Sequence, residues 1–112
     1  PFHCPLMQPA ADAMAEALGK TVIEPPHVPL YANVTAAAVA DPAEIERLLV
    51  SQATGMVRWR ESIANLHAAG VEEFVEVGGK VLGPMVKRIA PDAKVTSIIT
   101  IEDVEAVAKE LA

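Results

Sequence analysis

The chain has 112 residues and a formal net charge of −6, enough for one small domain. Apolar residues make up 52% and charged residues 21%, which excludes a disordered acidic tail, and no apolar run approaches the roughly 20 residues that span a bilayer. The acidic balance argues against nucleic acid as a partner, and a lone cysteine excludes an internal disulfide or a multi-cysteine metal site, which fits a reducing, cytoplasmic compartment.

Leu6, Ala10, Met14, Ala17 and Leu18 recur at helical spacing ahead of Gly19, which predicts a helix over residues 6–18. Pro9 falls in its first turn, where no intrahelical bond is lost. Pro25, Pro26 and Pro29 exclude a helix and favour an extended segment, a short strand over 29–35. Asp41-Pro42-Ala43-Glu44 supplies an N-cap, a first-turn proline and a capping-box glutamate for a helix over 42–53 that buries Ile45, Leu48 and Leu49. Trp59, Ile63 and Leu66 mark another helix over 58–69, with Gly70 as its C-cap. Val71–Val77 reads as a largely buried strand. Gly78-Gly79 turns the chain into a helix that starts at or just after Gly79, carries the stripe Val81, Leu82, Met85, Val86 and Ile89, and breaks at Pro91. Val95–Thr100 is a strand, and Ile101–Leu111 a last helix capped by Thr100.

This alternation predicts an α/β layer, helices packed on a few mostly parallel strands. Two or three strands cannot cover both sheet edges, and aromatic residues amount to only 4%, so the core is aliphatic and thin. The chain opens directly on Phe2-His3-Cys4-Pro5 and reads as a fragment of a longer one. Exposed strand edges and an uncovered apolar face predict self-association or association with a complement; a sharp monomer in sedimentation at micromolar concentration would argue against it.

The chemistry-bearing stretch is Phe2-His3-Cys4-Pro5-Leu6-Met7. An imidazole just ahead of a helix suits proton shuttling at neutral pH. His27, between prolines, and His67, beside Leu66, read as structural. His3-Cys4 are adjacent donors without CxxC or HxxxH spacing, so no metal site is expected. Neither Ser51, Ser62 nor Ser97 lies in G-x-S-x-G, and Glu76-Val77-Gly78-Gly79-Lys80-Val81-Leu82 matches no nucleotide-binding loop. If His3 is a base, its serine is elsewhere.

These residues resemble the C-terminal portion of the malonyl-CoA:acyl carrier protein transacylases. The likeness runs through Phe2-His3-Cys4-Pro5-Leu6-Met7-Gln8-Pro9, Val28-Pro29-Leu30 to Asn33-Val34, Leu49-Val50-Ser51-Gln52, Val57-Arg58-Trp59, Glu76-Val77-Gly78 and Gly79-Lys80-Val81-Leu82, and Lys87-Arg88-Ile89. It implies a segment, residues 1–112, of the large, α/β-hydrolase-like acyltransferase subdomain, incomplete without upstream sequence. It implies that His3 is the general base paired with a serine in ping-pong transfer from malonyl-CoA to acyl carrier protein in fatty acid synthesis. The substrate is a coenzyme A thioester and no cofactor is implied. Gln52 matches the position whose backbone carbonyl orients the histidine, so its side chain is expected to matter less than its backbone. Phe2 resembles a bulky aromatic that excludes α-methyl substituents, and Asn33 reads as a structural amide. Arg58, Arg60, Lys87 and Arg88 are candidates for docking the acidic carrier protein.

The sequence departs from the family in two places. Its E-V-G-x-G-K-V-L is one residue short here, and Pro84 stands where glycine is usual. The serine elbow, the carboxylate-gripping arginine and the oxyanion-hole glutamine lie upstream in the family and are absent here, so these 112 residues alone are expected to be inactive. Two further readings are a segment of an acyltransferase domain in a multifunctional synthase and a non-catalytic interaction module that reuses the fold; an upstream G-x-S-x-G separates enzyme from module.

Overall fold

A computed structural model describes all residues, Pro1–Ala112, which fall into two units, Pro1–Ser62 and Ile63–Ala112. In the first, Pro5–Met7 forms a single 3₁₀ turn, and only then does α1 run, Gln8–Leu18, two residues later than its apolar spacing suggests. Pro9 sits in the first turn of α1, where its missing N–H costs nothing. Gly19 stays right-handed at φ −61°, so the helix is stopped by tight turns in which Lys20 N–H donates to Ala17 and Thr21 N–H to Leu18, not by a left-handed glycine.

The strand expected over 29–35 shrinks to β1, Leu30–Tyr31, antiparallel to β2, Ala38–Val39. The sequence concealed β2 because two residues, Ala38 and Val39, after the alanine pair Ala36-Ala37 are too short a run to show strand alternation. Between them the Thr35 and Ala36 amides both donate to the Ala32 carbonyl, and Ala36, 1% exposed, is held left-handed at φ 52°.

Helix α2, Pro42–Ser51, begins as its sequence dictates, with Asp41 Oδ2 accepting the Glu44 N–H at 2.9 Å. The expected capping box closes only halfway: Glu44 turns its carboxylate to Arg47 instead of the Asp41 amide. Helix α1 packs on α2; Ala11, Ile45 and Leu48 are buried while Leu49 is only half-buried. Helix α3, Trp59–Ala68, contains the boundary between the units. It ends in a Schellman motif: Gly70 adopts φ 96°, its N–H donates to His67 and the Val71 N–H to Leu66.

The second unit is a β-α-β crossover. Strands β3, Glu73–Val77, and β4, Lys94–Ile98, pair in parallel from Glu73 with Lys94 to Val77 with Ile98, joined by α4, Leu82–Ile89, which packs on both. Parallel neighbours need such a crossover, which a hairpin turn cannot provide. Helix α5, Ile101–Leu111, follows with the cap expected of Thr100, whose hydroxyl accepts the Asp103 N–H while the Asp103 carboxylate accepts the Thr100 N–H. Ile63, Val86, Ala90 and Ala93 are buried.

Two apolar stripes are not buried as expected. Val75 and Val77 alternate away from the face that carries Glu76 and are 41% and 78% exposed, because a two-stranded sheet covered by α4 on that face leaves the other open. Of the stripe on α4 only Val86 is buried; Val81, Leu82 and Met85 are exposed, as are Ile101 and Leu111 of α5. The fold class is α/β, in a partial layer.

Candidate functional site

His3 stands at the entry to the 3₁₀ turn in the left-handed region, φ 59°. For a residue with a Cβ that conformation costs about 1–3 kcal/mol and persists only where surrounding contacts enforce it. The enforcing contact is polar: Nδ1 lies 2.7 Å from the Gln52 carbonyl oxygen, 49 positions along the chain. A carbonyl can only accept, so Nδ1 carries the hydrogen, and the neutral ring therefore keeps its lone pair on Nε2.

Gln52 can serve because of where α2 ends. It is the C-cap, its own N–H donating to Leu48 at 3.0 Å, and carbonyls at a helix C-terminus have no intrahelical partner. The negative end of the helix dipole lies there as well, an arrangement that favours positive charge developing on the ring. The turn beyond it is tight: Gly55 N–H returns to the Ser51 carbonyl at 2.9 Å, and a Cβ on Gly55 would stand 2.9 Å from both that oxygen and Val34 Cγ1.

Asn33, in the turn between β1 and β2, does not spend its amide on neighbouring backbone. Its Nδ2 donates to Gln52 Oε1 at 2.8 Å, and its carbonyl accepts the Arg58 N–H at 2.8 Å. Phe2 is 73% exposed, with its ring 5.8 Å from the imidazole at an angle of 56°. The structure thus gathers Phe2, His3, Asn33 and Gln52 in the first unit. Asn33 as the partner of the Gln52 side chain escaped sequence reasoning, since side-chain pairs 19 positions apart leave no local signature.

No family model matches the chain. Among curated proteins, the malonyl CoA-acyl carrier protein transacylase of Bacillus subtilis (strain 168) is 39% identical over 106 residues, covering 94% of this chain. Among solved structures, an acyl-carrier-protein-S-malonyltransferase from Bartonella henselae is 47% identical with a TM-score of 0.92, over 99% of this chain and 36% of that one. The chain matches the malonyl-CoA:acyl carrier protein transacylases. It corresponds to the family's C-terminal portion and spans about a third of the length of the curated relatives it matches, 33% for the Bacillus protein. A type II PKS acyl-carrier protein in complex with its malonyl-transacylase provides another likeness, 30% identical with a TM-score of 0.89 over 98% of this chain and 36% of that one.

The shortened transacylase motif around Gly78-Gly79 is accommodated without loss of the crossover. Gly78 leaves β3 at φ 94°, a conformation suited to glycine. Helix α4 starts at Leu82, later than the residues after Gly79 where the sequence placed it, and Pro84 stays within its first turn. Its start is fixed by Glu76, whose Oε1 accepts the Val81 and Leu82 N–H groups at 2.9 Å and whose Oε2 accepts that of Gly83 at 2.8 Å. Those amides, Leu82 foremost, hold the Glu76 carboxyl below the ordinary glutamate range. The feature that fixes this turn is therefore an acidic anchor on a strand, which alternation of apolar residues cannot reveal.

The basic candidates divide. Arg58 is committed to its own fold, paired through Nε and Nη2 with Glu61 at 2.7 Å and through Nη1 with the Thr35 carbonyl at 3.1 Å. Lys87 donates to the carbonyls of Ala93 and Pro91 beyond the end of α4. Arg60, in the first unit, and Arg88, in the second, are exposed. His67 is structural: its ring nitrogens meet the Val71 carbonyl at 3.0 Å and Asp92 at 3.2 Å, tying the end of α3 to the loop before β4. Cys4 is half-buried, its thiol 3.6 Å from the Pro1 carbonyl.

Proposed function

We propose that this chain supplies the general base of an acyltransferase that moves malonyl from coenzyme A to the phosphopantetheine thiol of acyl carrier protein. The observation that carries the reading is the 2.7 Å contact from His3 Nδ1 to the Gln52 carbonyl, which leaves Nε2 as the accepting atom. A serine from the rest of the polypeptide attacks the thioester carbonyl as His3 Nε2 takes its proton. Collapse of the tetrahedral intermediate expels the coenzyme A thiolate, which receives that proton, and leaves a malonyl ester. The carrier thiol then gives its proton to Nε2, attacks the ester and releases the serine, which recovers the proton. The carbonyl holds the ring as an aspartate would, with helix α2 adding its negative end in place of a full charge.

The likeness to malonyl CoA-acyl carrier protein transacylases and the carrier-protein complex of one neighbour support the choice of substrates. Phe2, packed beside the His3 ring, is proposed as the wall that favours malonyl over α-methylated acyl groups. The test is intact-mass spectrometry of the polypeptide carrying this chain together with the serine-bearing part of the fold, after incubation with malonyl-CoA. A malonyl adduct that disappears on adding carrier protein supports the reading; no adduct, with the protein folded, refutes it.

A further inference from the structure

We propose that Asn33 is a positioning residue: through the Gln52 side chain it fixes the carbonyl that sets the tautomer of His3. The geometry forms one continuous path, Asn33 Nδ2 to Gln52 Oε1 at 2.8 Å and Gln52 O to His3 Nδ1 at 2.7 Å. Each link answers a specific weakness. Carbonyls of a helix's last turn have no partner and the turn frays, so an acceptor placed there needs a second hold. Packing does not supply it, because Leu30, Tyr31, Ala32, Ile45, Leu48 and Leu49 leave a cleft of about 190 Å³ between β1 and α2, with Asn33 and Gln52 on its wall. The amide pair is the polar tie across that cleft.

Asn33 is itself immobilised. The turn that carries it is closed by the two amides on the Ala32 carbonyl, and its own carbonyl is taken by the Arg58 N–H, whose side chain in turn grips Glu61 and the Thr35 carbonyl. The fixed turn therefore transmits its position through one hydrogen bond to Gln52 and through the next to the imidazole. At the far end His3 is left-handed, a conformation that relaxes once its acceptor moves. The side chain of Gln52, not only its backbone, belongs to this device, contrary to the sequence reading. Its consequence for turnover rests on the base role proposed above; its effect on the ring does not.

The test is the imidazole ¹⁵N spectrum of this 112-residue chain, recorded above the titration range of the ring. In the wild type the Nδ1–H tautomer dominates. Asn33→Ala and Gln52→Ala each remove the side-chain link while keeping every backbone group, and each is expected to cost that tautomer its dominance. Asn33→Asp restores it, because the Gln52 amide can turn its NH₂ toward the carboxylate. Amide chemical-shift dispersion, and protection of the Arg58 N–H from exchange, show that the turn is still folded. Two independent link-breaking variants keep the test decisive if one fails to fold. An unchanged tautomer in a folded Asn33→Ala or Gln52→Ala chain overturns the inference. In the serine-bearing polypeptide the same variants are expected to lower kcat roughly tenfold, the scale of one ordinary hydrogen bond, with KM for malonyl-CoA held. A shifted tautomer with unaltered kcat leaves the inference standing and counts against His3 as the base.

Discussion

Replacing Gly55 by alanine sets two physical effects against each other, and the structure decides between them. Gly55 has no positive φ, so alanine is conformationally admissible and the reduced freedom of the unfolded chain favours it by about 0.4–1 kcal/mol. Against that, the new Cβ would lie 2.9 Å from the Ser51 carbonyl oxygen and 2.9 Å from Val34 Cγ1. The oxygen is backbone and already accepts the Gly55 N–H, so it cannot step aside without weakening that bond. Overpacking of this kind costs about 1–3 kcal/mol, and the net expectation is destabilisation by about 1–2 kcal/mol, a melting temperature lower by roughly 5–10 °C. Gly79 is the control: its Cβ would meet only the Glu76 Oε1 at 3.4 Å, so Gly79→Ala is expected to be neutral or stabilising by about 0.4–1 kcal/mol. Urea denaturation followed by Trp59 fluorescence reports on the unit that contains Gly55, and far-UV circular dichroism on the whole chain. A Gly55→Ala midpoint at or above the wild type, with the slope unchanged, would refute the steric reasoning.

The remaining predictions concern charge and specificity. The Glu76 carboxyl titrates below the ordinary value near 4.5 when folded, so its stabilisation is complete above that value and is lost as pH falls through the depressed one. Glu76→Gln should remove that part of the acid dependence and start α4 later, read as faster amide exchange at Val81, Leu82 and Gly83; an unchanged acid profile contradicts the anchor. Phe2→Ala in the serine-bearing polypeptide should raise kcat/KM for methylmalonyl-CoA relative to malonyl-CoA, and an unaltered ratio removes Phe2 from selectivity. Arg88→Glu should raise the apparent KM for carrier protein at low salt and lose the effect at high salt, whereas a KM equal to wild type at low salt excludes Arg88 from docking.

What the sequence disclosed, and what it withheld, follows from the range of each interaction. Helices α1 to α5 were readable because caps and prolines act within a turn: Asp41 on Glu44, Thr100 with Asp103, Gly70 closing α3. Strand β2 was not, because its two residues, Ala38 and Val39, are too few to show a pattern and only pairing with Leu30 and Tyr31 defines it. Burial of Val75 and Val77 was misread because a valine-rich run is compatible with one covered face or two, and only topology chooses. At the site, the adjacency of Phe2 and His3 and the role of the Gln52 carbonyl were within reach through family resemblance. The left-handed backbone of His3, the Asn33 amide and the Glu76 anchor were not, since each exists only through a partner brought close by the fold.

The most direct measurement is the rate of malonyl transfer from coenzyme A to acyl carrier protein by the serine-bearing polypeptide, with His3 intact and with His3→Ala. Loss of a general base predicts a fall of about a thousandfold, within the 10²–10⁴ range typical of such groups, at unchanged folding. A His3→Ala protein that transfers malonyl at the wild-type rate would contradict the account.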